Sequence, residues 1–209
     1  LIGAGLLVRS FDRLVSTEIG FDATNLLTAR VSLPASSYPD PMKVRGFYDQ
    51  LIPRVKSLPG VLAVTANVFA PFAGPGAATS FEIVGKPAPV GQAPVTDVRV
   101  VAADYFTTLR IPVREGRDFA PEEYAQRRDV VIINEALARK HFPGRNPIGE
   151  KLVINMREEA APSTIVGVVG DIRHQKLDTP AREMVYWPQS ELPIPSLTLL
   201  IRTAQGPMQ

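Results

Sequence analysis

The sequence has no cysteine, which excludes disulfides, thiolate metal sites and cysteine nucleophiles together. It has only two histidines, His141 near a predicted helix end and His174 in a polar loop between Arg173 and Gln175. They lie far apart in the chain, so the paired-histidine spacing of a zinc site is missing. Charge of one sign is also scarce. The 23 lysines and arginines are scattered among 21 acidic residues, for a net charge of +2, and no basic stripe of the kind that attracts a phosphate backbone is formed. Nucleic acid is therefore not an expected partner. Long apolar runs are lacking too: Leu1–Val8 is eight residues, against the roughly 20 that span a bilayer.

Nucleotide loops are missing as well. The segment Gly144-Arg-Asn-Pro-Ile-Gly149-Glu150-Lys151 has glycines and a lysine, but Glu150 separates the lysine from the second glycine, Leu152 stands where a magnesium-binding hydroxyl belongs, and Pro147 removes an amide donor. It reads as a helix-to-strand turn. Gly167-Val-Val-Gly170-Asp171 lacks the G-x-G-x-x-G spacing, so Gly167 reads as a bulge or close-approach site in a buried strand and Gly170-Asp171 as a turn. No cofactor is expected from either, and no repeat of fixed period is present.

What is there is an ordinary globular composition, 45% hydrophobic over 209 residues, enough for one large or two small cores. The chain opens at Leu1 without an initiator methionine and so reads as a piece of a longer protein. Its apolar start suits the last turns of a membrane-spanning helix, a buried amphipathic helix or a signal remnant. After Gly20, Leu26–Leu33 reads as a strand. Asp40 is an N-cap with Pro41 at the first helical position, and Val44, Phe47, Tyr48, Leu51, Val55 and Leu58 form the apolar stripe of a helix that Pro53 should kink or weaken. Val61–Val68 is a second strand, which makes a β-α-β unit.

Residues 69–78 read as a proline- and glycine-rich crossover. Phe81–Val84 and Val95–Val101 form a predicted hairpin, followed by a short helix over 104–109 and an extended stretch at 111–114. The charged segment 121–128 is expected to be solvated. Val130–Ile133 is a β-branched strand ending at Asn134, a helix N-cap, and the helix over 135–142 stops at Pro143-Gly144. Strands follow at about 151–155, 164–169, 184–187 and 197–202, and Gly206-Pro207 reads as the start of another helix. The expected fold is α+β: a β-α-β base to which a late strand returns, with a strand-rich region inserted between.

Candidate chemistry is thin. Asp104, Glu115, Asp118, Glu122 and Glu123 are close enough in sequence for a carboxylate pair, the basis of a hydrolase reading, although Asp104 as a cap and Asp118 in a turn have ordinary structural explanations. The aromatics Tyr105, Phe106, Phe119, Phe142, Tyr186 and Trp187 fall at positions that normally feed a core. Phe69 and Phe72, in the crossover, are candidates for a partner-contact surface and for an extracytoplasmic ligand- or peptide-binding module.

Several strings occur in one order: Val100-Val-Ala-Ala-Asp104-Tyr105-Phe106, Leu109-Arg-Ile-Pro-Val113, Glu115-Gly116-Arg117-Asp-Phe119, Val131-Ile-Ile-Asn134-Glu-Ala-Leu-Ala138, Phe142-Pro-Gly144, Pro147-Ile-Gly149 and Ile165-Val-Gly167-Val-Val-Gly170-Asp171. With Leu58-Pro-Gly-Val61 and the opening Gly3–Phe11, this order resembles the extracytoplasmic (periplasmic) core domain of MacB-like and FtsX-like ABC transporter permeases, most of all the duplicated-permease, ADOP-type branch. The resemblance implies a domain inserted after the first membrane helix. Residues 1–20 would be the end of that helix and its extension, 21–78 and 195–209 a porter-like α/β part, incomplete at its C-terminal side, and 79–194 a mostly β, Sabre-like part. It also implies no catalysis here. The expected role is mechanotransmission in an inner-membrane efflux system, with a cytoplasmic ABC ATPase, a second permease copy and a periplasmic adaptor or substrate as partners. Asp104, Tyr105, Phe106, Gly116, Arg117, Phe119, Asn134, Pro147, Gly149, Gly167, Gly170 and Asp171 are its signature positions, expected to be structural.

Overall fold

The computed structural model describes residues 19–71, 76–89, 91–156, 161–173 and 180–205. The apolar start 1–8, Phe72, His174 and Gly206-Pro207 lie outside the described residues. In chain order the elements are β1 (Leu26–Ser32), α1 (Pro41–Lys56), β2 (Val61–Asn67), β3 (Ala77–Ile83), β4 (Val95–Val101), α2 (Tyr105–Leu109), β5 (Val113–Gly116), α3 (Pro121–Ala125), β6 (Val130–Asn134), α4 (Glu135–His141), β7 (Lys151–Ile154), β8 (Pro162–Val169), β9 (Met184–Pro188) and β10 (Ser196–Thr203). The α+β class read from the sequence is the one observed.

Two arrangements share this one sheet. The first is a three-stranded base in the order β1-β10-β2, antiparallel throughout, with Val31 opposite Leu197 and Leu199 opposite Ala66. The expected β-α-β unit is therefore split: β1 and β2 are not neighbours, because β10 lies between them. α1 covers one face. Asp40 caps it by accepting the Met42 amide at 2.8 Å, and Val44 and Tyr48 are buried against Ala66, Leu197 and Leu199. Each such side chain contributes about 1.5–3 kcal/mol of hydrophobic stabilisation. The helix runs through the exposed Pro53 to Lys56.

The second arrangement is a closed ring, β4-β3-β7-β8-β6-β9 and back to β4, with β5 added outside on β8. The β8–β6 and β9–β4 pairs are parallel and the rest are antiparallel. Each of the six ring strands is thus paired on both sides, whereas β5 pairs with β8 alone. Inside lie Phe81, Val98, Val131, Ile133, Leu152, Ile165, Val168, Val185 and Trp187, with Leu137 and Phe142 from α4 and its exit packed among them. The alternate residues Val130, Ile132, Val169, Met184 and Tyr186 face outward, yet they are buried too. They pack on Tyr105, Phe106, Leu109, Ile111 and Phe119, which also meet Leu200 of the base. A second apolar core thus forms the joint between ring and base.

Two sequence expectations are corrected here. The crossover ends earlier than 78, because Ala77–Ser80 already pair with β4 as the start of β3. The segment 121–128 is not simply solvated: it contains α3, which buries Glu123. Among the described residues no helix is long and apolar enough to cross a membrane.

Candidate functional site

The signature positions gather in three places. At the joint, Asp104 precedes α2 in the left-handed region with φ 61°, and its side chain makes no capping bond, unlike the cap expected. Its carboxylate instead accepts from Lys56 Nζ of α1 at 3.1 Å. Tyr105 and Phe106 are buried and pack edge-on to each other. Burial pushes the Tyr105 hydroxyl up to about 12, partly offset by the positive charge of Arg99 and a bond from Asn67. All six aromatics assigned to the core, Tyr105, Phe106, Phe119, Phe142, Tyr186 and Trp187, are buried.

Of the carboxylates of the hydrolase reading, Asp104, Asp118 and Glu123 are engaged by neighbouring groups, while Glu115 and Glu122 are exposed. Asp118 accepts the Phe119 amide at 2.6 Å, and burial, reinforced by the charges of Asp104 and Glu123, raises its pKa. Glu123 takes a two-pronged bond from Arg117, 2.8 Å on each oxygen, and also accepts the Ala120 amide at 2.7 Å. The Arg117 bond is the main reason the Glu123 carboxyl titrates below its usual range. Glu115 is exposed and lies across a groove from Arg139. Among the described residues no cluster of three or more acidic or imidazole side chains is placed to hold a metal ion.

The second place is where β5 crosses β8. A Cβ on Gly116, at φ +68°, would lie 2.4 Å from the Val166 carbonyl oxygen, and one on Gly167 would lie 2.2 Å from that of Arg117. The two backbones are in contact, so neither position accepts a side chain without moving a strand. Gly167 is thus a close-approach site, and the register of β6 against β8 slips beside it, between Val131 and Ile132. Pro147 and Gly149 belong to the turn between α4 and β7, and the Gly149 amide donates to Ile165 at 2.9 Å. Gly170 donates to the carbonyl of Pro112 at 2.9 Å.

The third is a polar clasp around Asn134. Its Oδ1 accepts from the amides of Leu137 (3.1 Å) and Met184 (2.9 Å), and its Nδ2 donates to Asp171 (2.7 Å) and the Arg182 carbonyl (2.9 Å). All four bonding positions of the amide are satisfied, as burial demands. Asp171 in turn accepts from the Ala136 amide and from Arg139, so it shares the N-terminus of α4 with Asn134. Asn134 as a cap was legible in the sequence; Asp171 as its partner was not. His141, at the other end of α4, bonds Glu183 at 2.6 Å and meets Phe81 edge-on.

Phe69 is half-buried, and the guanidinium of Arg99 sits 5.6 Å from its ring centre. Arg99 is 1% exposed and is one of the residues that sequence reasoning missed. The alternation Asp97-Val98-Arg99-Val100 resembles a half-solvated strand, whereas the outer face of β4 is covered. A Cβ on Gly76 would fall 1.6 Å from the Arg99 guanidinium, so the crossover packs directly on that charge. Arg202, in β10, was missed for the same reason, and Glu191 was missed because it stands in the turn after β9, where a charged residue is ordinarily solvated. Arg202 is 5% exposed and donates to three carbonyl oxygens, those of Asp22, Thr24 and Thr108. Glu191 accepts the amides of Arg128 and Asp129. A surface groove of about 460 Å³ runs between Glu115 and the loop over 142–147, with Phe142, Pro143 and Pro147 on its walls.

The profile of the MacB-like periplasmic core domain family matches residues 1–206. The macrolide export ATP-binding/permease protein MacB of Aggregatibacter actinomycetemcomitans is 27% identical over 71 residues, 34% of this chain and 10% of that protein, so the match spans about a tenth of the relative's length. The fold is similar to the crystal structure of the periplasmic region of MacB from Actinobacillus actinomycetemcomitans, with a TM-score of 0.57 at 16% identity, covering 93% of this chain and 82% of that one. It is also similar to the extracellular domain of the noncanonic ABC-type transporter YknZ from Gram-positive bacteria, with a TM-score of 0.54 at 14% identity, covering 87% and 84%.

Proposed function

Because the chain belongs to the MacB-like periplasmic core domain family, we propose that it is the non-catalytic extracytoplasmic domain of an ABC transporter permease, coupling ATP hydrolysis in the cytoplasm to efflux or other extracytoplasmic work by mechanotransmission. The observation that carries this reading is the joint: base and ring meet through a buried apolar core, and the signature residues around it hold backbone in place. A part that passes on motion needs such rigidity. The partners are a cytoplasmic ABC ATPase, a second permease copy and a periplasmic adaptor or substrate, and the domain lies on the outer side of the inner membrane.

In this reading residues 1–20 continue a membrane helix, 21–78 with 195–209 are the porter-like part and 79–194 the Sabre-like part. The exposed outer side of β1 supports a porter sheet that accepts a further strand there. The test is a full-length permease carrying Leu62→Cys, a position 58% exposed in a chain without cysteine. A membrane-impermeant maleimide is expected to label it from outside intact cells; labelling only after the cells are opened overturns the assignment. For coupling, spin labels on the domains of the two permease copies are expected to change separation on ATP addition, and an unchanged separation during turnover overturns mechanotransmission.

A second reading, an extracytoplasmic ligand- or peptide-binding module, is favoured by the groove at Phe142–Pro147. Calorimetric titration with lipids, peptides and macrolides tests it, and no heat at millimolar ligand removes it.

A further inference from the structure

Six residues, 19–24, touch both halves of the molecule. At one end the Ile19 carbonyl accepts the Arg173 amide at 3.0 Å, just beyond β8 of the ring. Gly20 follows at φ +84°, and a Cβ there would lie 2.0 Å from the Asp171 carbonyl oxygen, so the segment lies directly on ring backbone. That same Asp171 holds the N-terminus of α4 through its side chain. At the other end the Asp22 amide donates to Leu109 at 2.9 Å, and Arg110 bonds the Asp22 carboxylate at 2.6 Å. Arg202 of β10 then reaches across: Nη2 to the Asp22 carbonyl at 2.6 Å, Nη1 to that of Thr24 at 2.6 Å, and Nε to that of Thr108 at 2.8 Å. Phe21, between the two ends, packs into the joint core.

The sheet itself connects base and ring weakly. Between β2 and β4 only Asn67 stands opposite Val101, flanked by the bonds Val68 N to Val100 O and Ala102 N to Ala66 O. So short a ladder leaves the relative orientation of the two sheets to contacts outside it. From these contacts we infer that residues 19–24 are a clamp that locks base and ring into one rigid lever. This rests on the mechanotransmission reading for its purpose: motion arriving through the residues before 19 enters at the clamp and moves both halves together.

The clamp is testable on this chain without any transport assay. Met42→Cys on α1 and Val84→Cys at the end of β3 give two exposed spin-label sites, one on each half, in a background free of cysteine. Gly20→Ala breaks the ring contact, and Arg202→Ala removes the bonds from the base to the carbonyls of Asp22 and Thr24. In either variant the amides of residues 22 and 173 are expected to exchange about tenfold faster, and the inter-label distance distribution to become about twofold broader. The two variants are independent, so a failure of one to fold leaves the other as the test. Faster exchange with an unchanged, narrow distribution overturns the clamp, because the joint core alone would then fix the two halves. Unchanged exchange overturns it as well, since these contacts would not be what holds the segment. Failure of the transport reading leaves the distance measurement standing, and the two failures are thereby distinguishable.

Discussion

In β1 of the base, Thr28, Ala29, Arg30 and Ser32 are exposed, whereas every residue of β6 and β9 in the ring is buried. The sequences differ accordingly: Leu-Leu-Thr-Ala-Arg-Val-Ser against Val-Val-Ile-Ile-Asn and Met-Val-Tyr-Trp-Pro. A strand with one covered face and a free edge tolerates polar residues, while one lined by a core on both faces does not. β6 and β9 have two cores because closure makes an inside and the 105–119 segment covers their outside. Among the described residues the base has α1 on one face and the joint core on the other. The ring is therefore expected to be the more stable half and the base the more easily opened.

The sharpest way to break that contrast is inside the ring. Trp187→Ala is expected to cost about 3–5 kcal/mol and to lower the urea midpoint of the whole chain; a loss below about 1 kcal/mol would mean that the ring core is loosely packed. Next comes Asn134→Ala, which orphans the amides of Leu137 and Met184 and takes one donor from Asp171. About 2–3 kcal/mol is expected, read by denaturant unfolding, with helix α4 opening first in amide exchange.

In the base, the single hydroxyl proton of Tyr48 is shared between the carbonyls of Val31 and Pro195, 3.1 and 3.0 Å away, and its oxygen accepts the Leu197 amide at 3.1 Å. Tyr48→Phe removes these bonds without leaving a large cavity and is expected to cost about 1 kcal/mol. Faster amide exchange should be confined to β1 and β10. If it spreads into β6 and β9, the two halves open as one unit and the comparison fails.

The smallest effect is a difference of sign. The Asp22 carboxyl is held below its usual range, chiefly by the Thr24 amide and then by Arg202 and Arg110. Its folded pKa is depressed, so its contribution is present above the unfolded value of 3.8 and is lost as the pH falls through the folded one. Asp118 is raised by burial, so its contribution is present below 3.8 and is lost as the pH rises through the folded value. Near neutral pH, Asp22→Asn is expected to destabilise slightly and Asp118→Asn to stabilise slightly. Urea midpoints from acid to neutral pH check this; shifts of the same sign would show that the two environments are not opposite.

Much of this was legible in the residues because the signals are local. Asp40-Pro41 starts α1, Asn134 ends a β-branched strand and caps α4, and short apolar runs mark β6 and β9. The candidate sites were less so. Asp104 has the residue type and place of a cap, but its left-handed backbone turns it toward Lys56 instead. Phe69 stands in a glycine- and proline-rich stretch, where no pattern announces the buried Arg99 beneath it.

The sequence by itself determined most of the strands and the two longer helices, that the chain is α+β, and, through motifs in a set order, its family; it placed the start of β3 too late and did not show α3. Only the tertiary structure decided that β10 enters between β1 and β2, that six strands close into a ring, and that Arg99 and Arg202 lie buried at the joint. The physical reason is separation along the chain. Capping and periodicity act over a few residues, whereas Arg202 finds Asp22 and Thr24 from nearly the whole length of the chain away, and whether a polar residue in a strand meets solvent or protein depends on what folds over it.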